Sequence, residues 1–70
     1  MLEYEKYLSK KISVKINDRD DLGKIDQNNY TFIIGYCTFA GYNINLNINQ
    51  ITINRMPLFE DEIFDVKIIE

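Results

Sequence analysis

The chain is predicted to be mainly β: a curled antiparallel meander or small barrel of five to six strands, preceded by a short N-terminal helix. Three observations carry this. Every residue from 27 to 54 is uncharged. Within that stretch, residues 42–54 (YNINLNINQITIN) alternate Ile or Leu with Asn, which is the period of a strand with one buried face. The region also lacks proline and the Lys or Glu residues that guard exposed sheet edges, so neighbouring strands or a partner must cover it. A curled sheet hides edges that a flat sheet of this size would leave open.

The elements follow in order. Residues 2–9 are expected to form the helix, with Tyr4, Tyr7 and Leu8 on one face and Glu3 spaced to pair with Lys6. Residues 11–16 alternate strictly, placing Ile12, Val14 and Ile16 on one side of a half-buried strand. Turn formers fill residues 17–21, a brief strand covers residues 23–25, and residues 26–29 read as a second turn. Residues 30–40 are apolar on both faces, Tyr30, Phe32, Ile34 and Tyr36 against Ile33, Gly35, Cys37 and Phe39, which predicts a central strand covered on both sides. Gly35 marks either a bend or an ordinary strand position, and Gly41 reads as a turn before Tyr42. The alternation changes phase at Asn49 and Gln50. A turn there sets Ile48 against Ile51, Leu46 against Ile53 and Asn45 against Asn54, and buries Ile44, Leu46, Ile48, Ile51 and Ile53 together. Pro57 ends a strand or sits on an edge, residues 58–62 form an acidic turn, and Phe64, Val66 and Ile68 belong to the last strand.

Residues 1–70 are read as one domain, with the helix in 1–10 and the strands in 11–70. A chain this short buries only about 60% of the surface its unfolded form exposes, so self-association is expected to support the core. The expected contact is between two copies of residues 30–54. A hydrophobic share of 46% and a charged share of 27% are those of a folding domain, not a disordered one. The net charge of −3 disfavours duplex nucleic acid, although Lys6, Lys10, Lys11, Lys15, Arg19 and Lys24 gather in the first third while Glu60, Asp61, Glu62, Asp65 and Glu70 crowd the tail. The start carries charges where a secretion signal needs an apolar core, and no run reaches the roughly 20 apolar residues that span a bilayer. A cytoplasmic location without membrane contact is expected. The abundance of Ile, Asn, Lys and Tyr suggests an AT-rich genome, whose codon supply alone would enrich a wet face in asparagine.

Little here supports catalysis. Histidine is absent, which removes the commonest general base, and neither Ser9 nor Ser13 lies in a nucleophile elbow. Cys37 is the single cysteine, flanked by no base, and is expected to be a buried inert thiol. Asp18, Asp20, Asp21 and Asp26 have a partial calcium-loop spacing, but the glycine is misplaced and the closing Glu is missing, so no metal or other cofactor is expected.

Three surfaces remain as candidates. Phe59, Glu60, Asp61, Glu62 and Asp65, with Phe64 beside them, combine aromatic anchors with acidic charge and suit a protein partner. Asn43, Asn45, Asn47, Thr52 and Asn54 would form an uncharged face for self-association into a homodimer or higher oligomer, or simply the wet side of a hairpin. Lys10, Lys11, Lys15 and Arg19 near phosphates, with Tyr36 or Tyr42 stacking on bases, would serve a nucleic-acid alternative.

The order helix, LSKKISVKIND, LGKI, DQNNYTFII over residues 8–34 resembles the start of an Sm-like barrel, a family of ring-forming RNA-binding proteins, although no Arg-Gly signature follows. The ending MPLFEDEIFDVKII resembles the last turn and strand of small SH3-like barrels. Both resemblances imply a barrel, and neither carries an activity. The expected function is that of a non-enzymatic interaction module, an inhibitor or regulator of a host protein complex of the kind carried by phages or mobile elements. The alternative is a small barrel that binds RNA or single-stranded nucleic acid.

Overall fold

The computed structural model describes residues 3–69. Leu2, at the start of the expected helix, and Glu70 of the acidic tail lie outside the described residues. Five antiparallel strands form one sheet: β1 (Lys11–Arg19), β2 (Ile25–Asn43), β3 (Ile48–Ile53), β4 (Met56–Phe59) and β5 (Ile63–Ile68), in the spatial order β4-β3-β2-β1-β5. The expected helix is reduced to a 3-10 turn, Tyr4–Tyr7. Glu3, at the capping position, makes no side-chain cap, and Ser9 enters the left-handed region, so no α-helical turn is nucleated or extended.

The sheet is organised by β2, which runs for 19 residues and serves two half-sheets. Its first part pairs with β1, from Asn17↔Tyr30 to Lys11↔Tyr36. Its second part pairs with β3, from Cys37↔Ile53 to Asn43↔Ile48, with a register shift between Cys37 and Phe39 where the strand changes partner. The segment after the 3-10 turn is tied to this crossing point, since Ser9 N donates to Cys37 O and Cys37 N donates to Lys10 O. Gly41 lies within the strand opposite Gln50, not in a turn.

At Gly35 the halves approach closely. A Cβ there would stand 2.7 Å from Ile53 Cγ2 and from Asn54 Oδ1, and Asn54 Nδ2 donates to Ile34 O. Only a residue without a side chain fits beneath the β3–β4 turn.

Two expected turns are placed differently. The first connection is residues 20–24, where Asp20 Oδ1 accepts from both Leu22 N and Lys24 N and Gly23 takes φ 79°. Residues 26–29 do not turn the chain. They stand opposite the single residue Asp18, where the β1–β2 register shifts between Asn17 and Arg19, and buried Asn17 pins the bulge by donating to Asp26 O. The second hairpin turns at residues 44–47, not at Asn49 and Gln50, because Asn43 Oδ1 accepts from Asn45 N and Leu46 N while Asn47 adopts φ 57°. Ile44 and Leu46 therefore project into solvent, at 82% and 58% exposure, whereas Ile51 and Ile53 are fully buried.

The core is Tyr4, Ile12, Val14, Cys37, Ala40, Ile51, Ile53 and Leu58, with Tyr7, Ile16, Ile33, Ile63 and Val66 packed around it. Its inward positions come from alternate residues of β1, β3 and β4, as the strand period requires. Pro57 occupies the edge strand β4. The expectation that β2 is covered on both faces fails, because the side bearing Phe32 and Tyr36 is open, at 60% and 57% exposure.

Candidate interaction surfaces

The open side of the β2–β1–β5 half-sheet is built by register. Along β2, Phe32, Ile34 and Tyr36 stand opposite Lys15, Ser13 and Lys11 of β1, and beyond these Lys15 faces Asp65 and Ser13 faces Lys67 of β5. A register shift between Lys15 and Ile16 leaves Phe64 without a cross-strand partner. Instead of sharing a face with Val66 and Ile68, Phe64 turns to the outer side and meets the Tyr30 ring edge-on at 5.2 Å. The Lys15 ammonium lies over these rings, 4.3 Å from the Tyr30 centroid, 4.9 Å from Phe64 and 5.8 Å from Phe32. Among the described residues the face thus presents an aromatic row with Lys11, Lys15, Lys67 and Asp65, on a chain whose net charge is −3.

The acidic turn is tied to the fold. Glu60 accepts from Asn49 Nδ2, Glu62 accepts from Phe59 N, and exposed Asp61 lies 3.8 Å from Arg19. Only Asp65 of that group lies on the aromatic side. The asparagine set is dispersed: Asn45 and Asn47 sit in the 44–47 turn, Asn47 accepts from the Tyr42 hydroxyl, and Asn54 lies in the β3–β4 turn. Asn43 and Thr52 remain linked, since Asn43 Nδ2 donates to Gln50 Oε1 and Gln50 Nε2 donates to Thr52 Oγ1. Of the residues offered for nucleic acid, Lys11, Lys15 and Tyr36 share the aromatic face, whereas Arg19 donates to Gly23 O beside the first turn and Tyr42 lies in the other half-sheet.

The carboxylates with calcium-like spacing serve local turns. Asp18 accepts from Thr31 Oγ1, and Asp26 accepts from Asn28 N and Asn29 Nδ2, contacts that hold the Asp26 carboxyl below its usual range. Among the described residues no group of three or more His, Cys, Asp or Glu is placed to hold a metal ion. Cys37 is buried, its thiol donates to Phe39 O, and burial pushes its pKa up against the weaker effect of hydrogen bonding. No helix of the described residues is long and apolar enough to cross a membrane.

Tyr30, Phe32 and Ile34 were not singled out as site residues by the sequence, and Phe64 was read only as an anchor beside the acidic turn. Their signal was the period-2 apolar row itself, because a strand apolar on both faces is either sandwiched or carries an open docking face. Comparison with protein-family models, curated proteins and solved structures finds no match.

Proposed function

We propose that the chain is a non-enzymatic binding module that regulates a larger assembly by docking a protein partner on the outer face of β1, β2 and β5. The observation that carries this is the contiguous row Tyr30, Phe32, Ile34 and Tyr36, joined by Phe64, all exposed on one sheet face. Contiguous apolar patches of this kind mark interaction sites, and aromatic anchors dominate binding energy there. The lysines on the face select a partner surface with apolar side chains flanked by carboxylates. The reading also takes the curled sheet as a small SH3-like or Sm-like barrel. Two contacts support it: the residue 60–62 turn bonds to a strand of each half-sheet, Glu60 N to Asn49 O of β3 and Asn17 N of β1 to Glu62 O, and Gly35 admits the β3–β4 turn.

Single-stranded nucleic acid is the competing occupant, since Lys11 and Tyr36 are cross-strand neighbours on this face. Wild-type chain and a Phe32→Ser/Tyr36→Ser variant are exposed to the same source lysate, and any retained protein is purified and titrated against both. Retention by wild type and at least tenfold weaker binding by the variant is expected, each aromatic anchor contributing about 1 to 2 kcal/mol. Equal binding by both overturns the assignment of the face, and equal binding lost instead on Asp61→Lys assigns the acidic turn. Tight binding of a single-stranded oligonucleotide that collapses with salt would replace the protein partner with nucleic acid.

A further inference from the structure

The two edges of the sheet are not equivalent. On β4, Glu60 N donates to Asn49 O, so by antiparallel alternation the backbone groups of Pro57 and Phe59 point away from β3. Neither offers a free donor, because proline has no N–H and Phe59 N is taken by Glu62 Oε2. On β5, Ile69 N donates to Lys11 O, so Asp65 and Lys67 bond toward β1 while Val66 and Ile68 turn their N–H and C=O groups to the open edge. No proline guards this side, and Phe64 and Ile68 beside it are largely exposed.

We infer that β5 pairs antiparallel with β5 of a second copy of this chain, with Val66 on the two-fold axis. The sequence of β5 is self-complementary in that register alone: Val66 faces Val66 of the partner, Asp65 faces Lys67 and Lys67 faces Asp65. Val66 and its mate exchange two backbone hydrogen bonds. Asp65 and Lys67 then form the closely spaced pairs, with Cα atoms about 4.5 Å apart and side chains on the same face, where opposite charges attract most. Both charges are available for this. Among the described residues neither Asp65 nor Lys67 is in an ion pair, since the ammonium of Lys15, the neighbour of Asp65, lies over aromatic rings. A cleft of about 180 Å³ between the 3-10 turn and β5, lined by Tyr7, Ile63 and Val66 with Glu3, Lys6 and Asp65, leaves room for the incoming strand's inward side chains. The product is a continuous ten-stranded sheet that joins the two aromatic faces. This surface is separate from the asparagine positions and from residues 30–54, where self-association was expected.

The test uses the full chain in sedimentation equilibrium over the micromolar range, with circular dichroism to establish folding. Wild type sediments as a dimer, and Asp65→Lys and Lys67→Asp each place like charges in both contacts and raise the dimer dissociation constant by a factor on the order of ten or more. Mixing the two variants restores a dimer, because each chain then supplies the charge the other lacks. The double exchange Asp65→Lys/Lys67→Asp dimerises alone. Independently, Val66→Cys in a Cys37→Ser background oxidises to a covalent dimer, since hydrogen-bonded partners place Cα atoms about 5.5 Å apart, within disulfide reach. A wild type that stays monomeric at high micromolar concentration, single variants that dimerise undiminished, or a mixture that stays monomeric overturns the inference. Loss of lysate partner binding on Phe32→Ser/Tyr36→Ser with dimerisation intact separates this interface from the proposed docking face.

Discussion

Tyr4→Phe is expected to stabilise the fold. Tyr4 is only 3% exposed, and its hydroxyl has no hydrogen-bond partner among the described residues. A buried donor left unpaired costs about 1 to 3 kcal/mol, whereas phenylalanine keeps the ring contacts with the core and removes the polar atom. The expected gain at neutral pH is about 1 kcal/mol, or roughly 4 to 8 °C in Tm for a domain of this size. The pH dependence gives an independent check. Burial, then the nearby Glu60 and Tyr7 charges, push the Tyr4 pKa from 10.0 to about 12. Below pH 10 both folded and unfolded chains keep the proton, and the contribution of this group to stability is fully present. Between pH 10 and about 12 the unfolded chain ionises first, so stability is lost across that window, by an amount on the order of 2 kcal/mol. Phenylalanine removes this loss, and the advantage of the variant therefore widens with pH. Urea unfolding followed by circular dichroism at neutral pH and at about pH 11 measures both effects. A variant less stable than wild type by about 1 kcal/mol or more, or an advantage that does not widen at high pH, refutes the reasoning.

Gly35→Ala should destabilise by about 1 to 3 kcal/mol, because its Cβ would meet Ile53 and Asn54 at 2.7 Å; urea midpoints test this. Arg55→Gly should stabilise by roughly 0.5 to 1 kcal/mol: Arg55 holds φ 64°, a strain of about 1 to 2 kcal/mol, partly offset by the greater freedom of glycine in the unfolded chain. A Tm rise of a few degrees would be seen by calorimetry. Asn43→Ala should lower stability by about 1 kcal/mol by removing the acceptor that holds Asn45 N and Leu46 N, measured by thermal melting. The Cys37 thiol should react with a disulfide reagent at the rate of global opening, so mild urea should accelerate the reaction steeply.

What the sequence made legible was the part governed by a single period. Ile12 and Val14 alternate with lysine and serine, and β1 buries them as expected. Pro57 was expected to end a strand or to sit on an edge, and it lies in the edge strand β4. The second hairpin was misplaced because asparagine serves two purposes: as the wet member of an alternating strand, and as a side chain that hydrogen-bonds its own backbone and tolerates positive φ. Asn43 and Asn47 use the second property, which turned the chain one stretch early and exposed Ile44 and Leu46. The bulge at residues 26–29 was hidden for a related reason, since turn formers inside a long strand widen it as readily as they end it. Phe64 could not be placed on the aromatic face by period, because a one-residue register shift against β1 changed the side it occupies.

The pairing of β1 with β5 also governs how the chain reaches its fold. Ile12 faces Ile68 across nearly the whole length of the chain, whereas the β2–β3 and β3–β4 hairpins close within short loops. Loop-closure entropy delays such a distant contact, so the local hairpins form first and β5 docks last. Until then β1 is itself a free edge, with Ile12 and Val14 still accessible beside it. The interval before β5 arrives is therefore when a crowded solution is most hazardous to this protein, and folding yield should depend on concentration even where the finished fold does not aggregate.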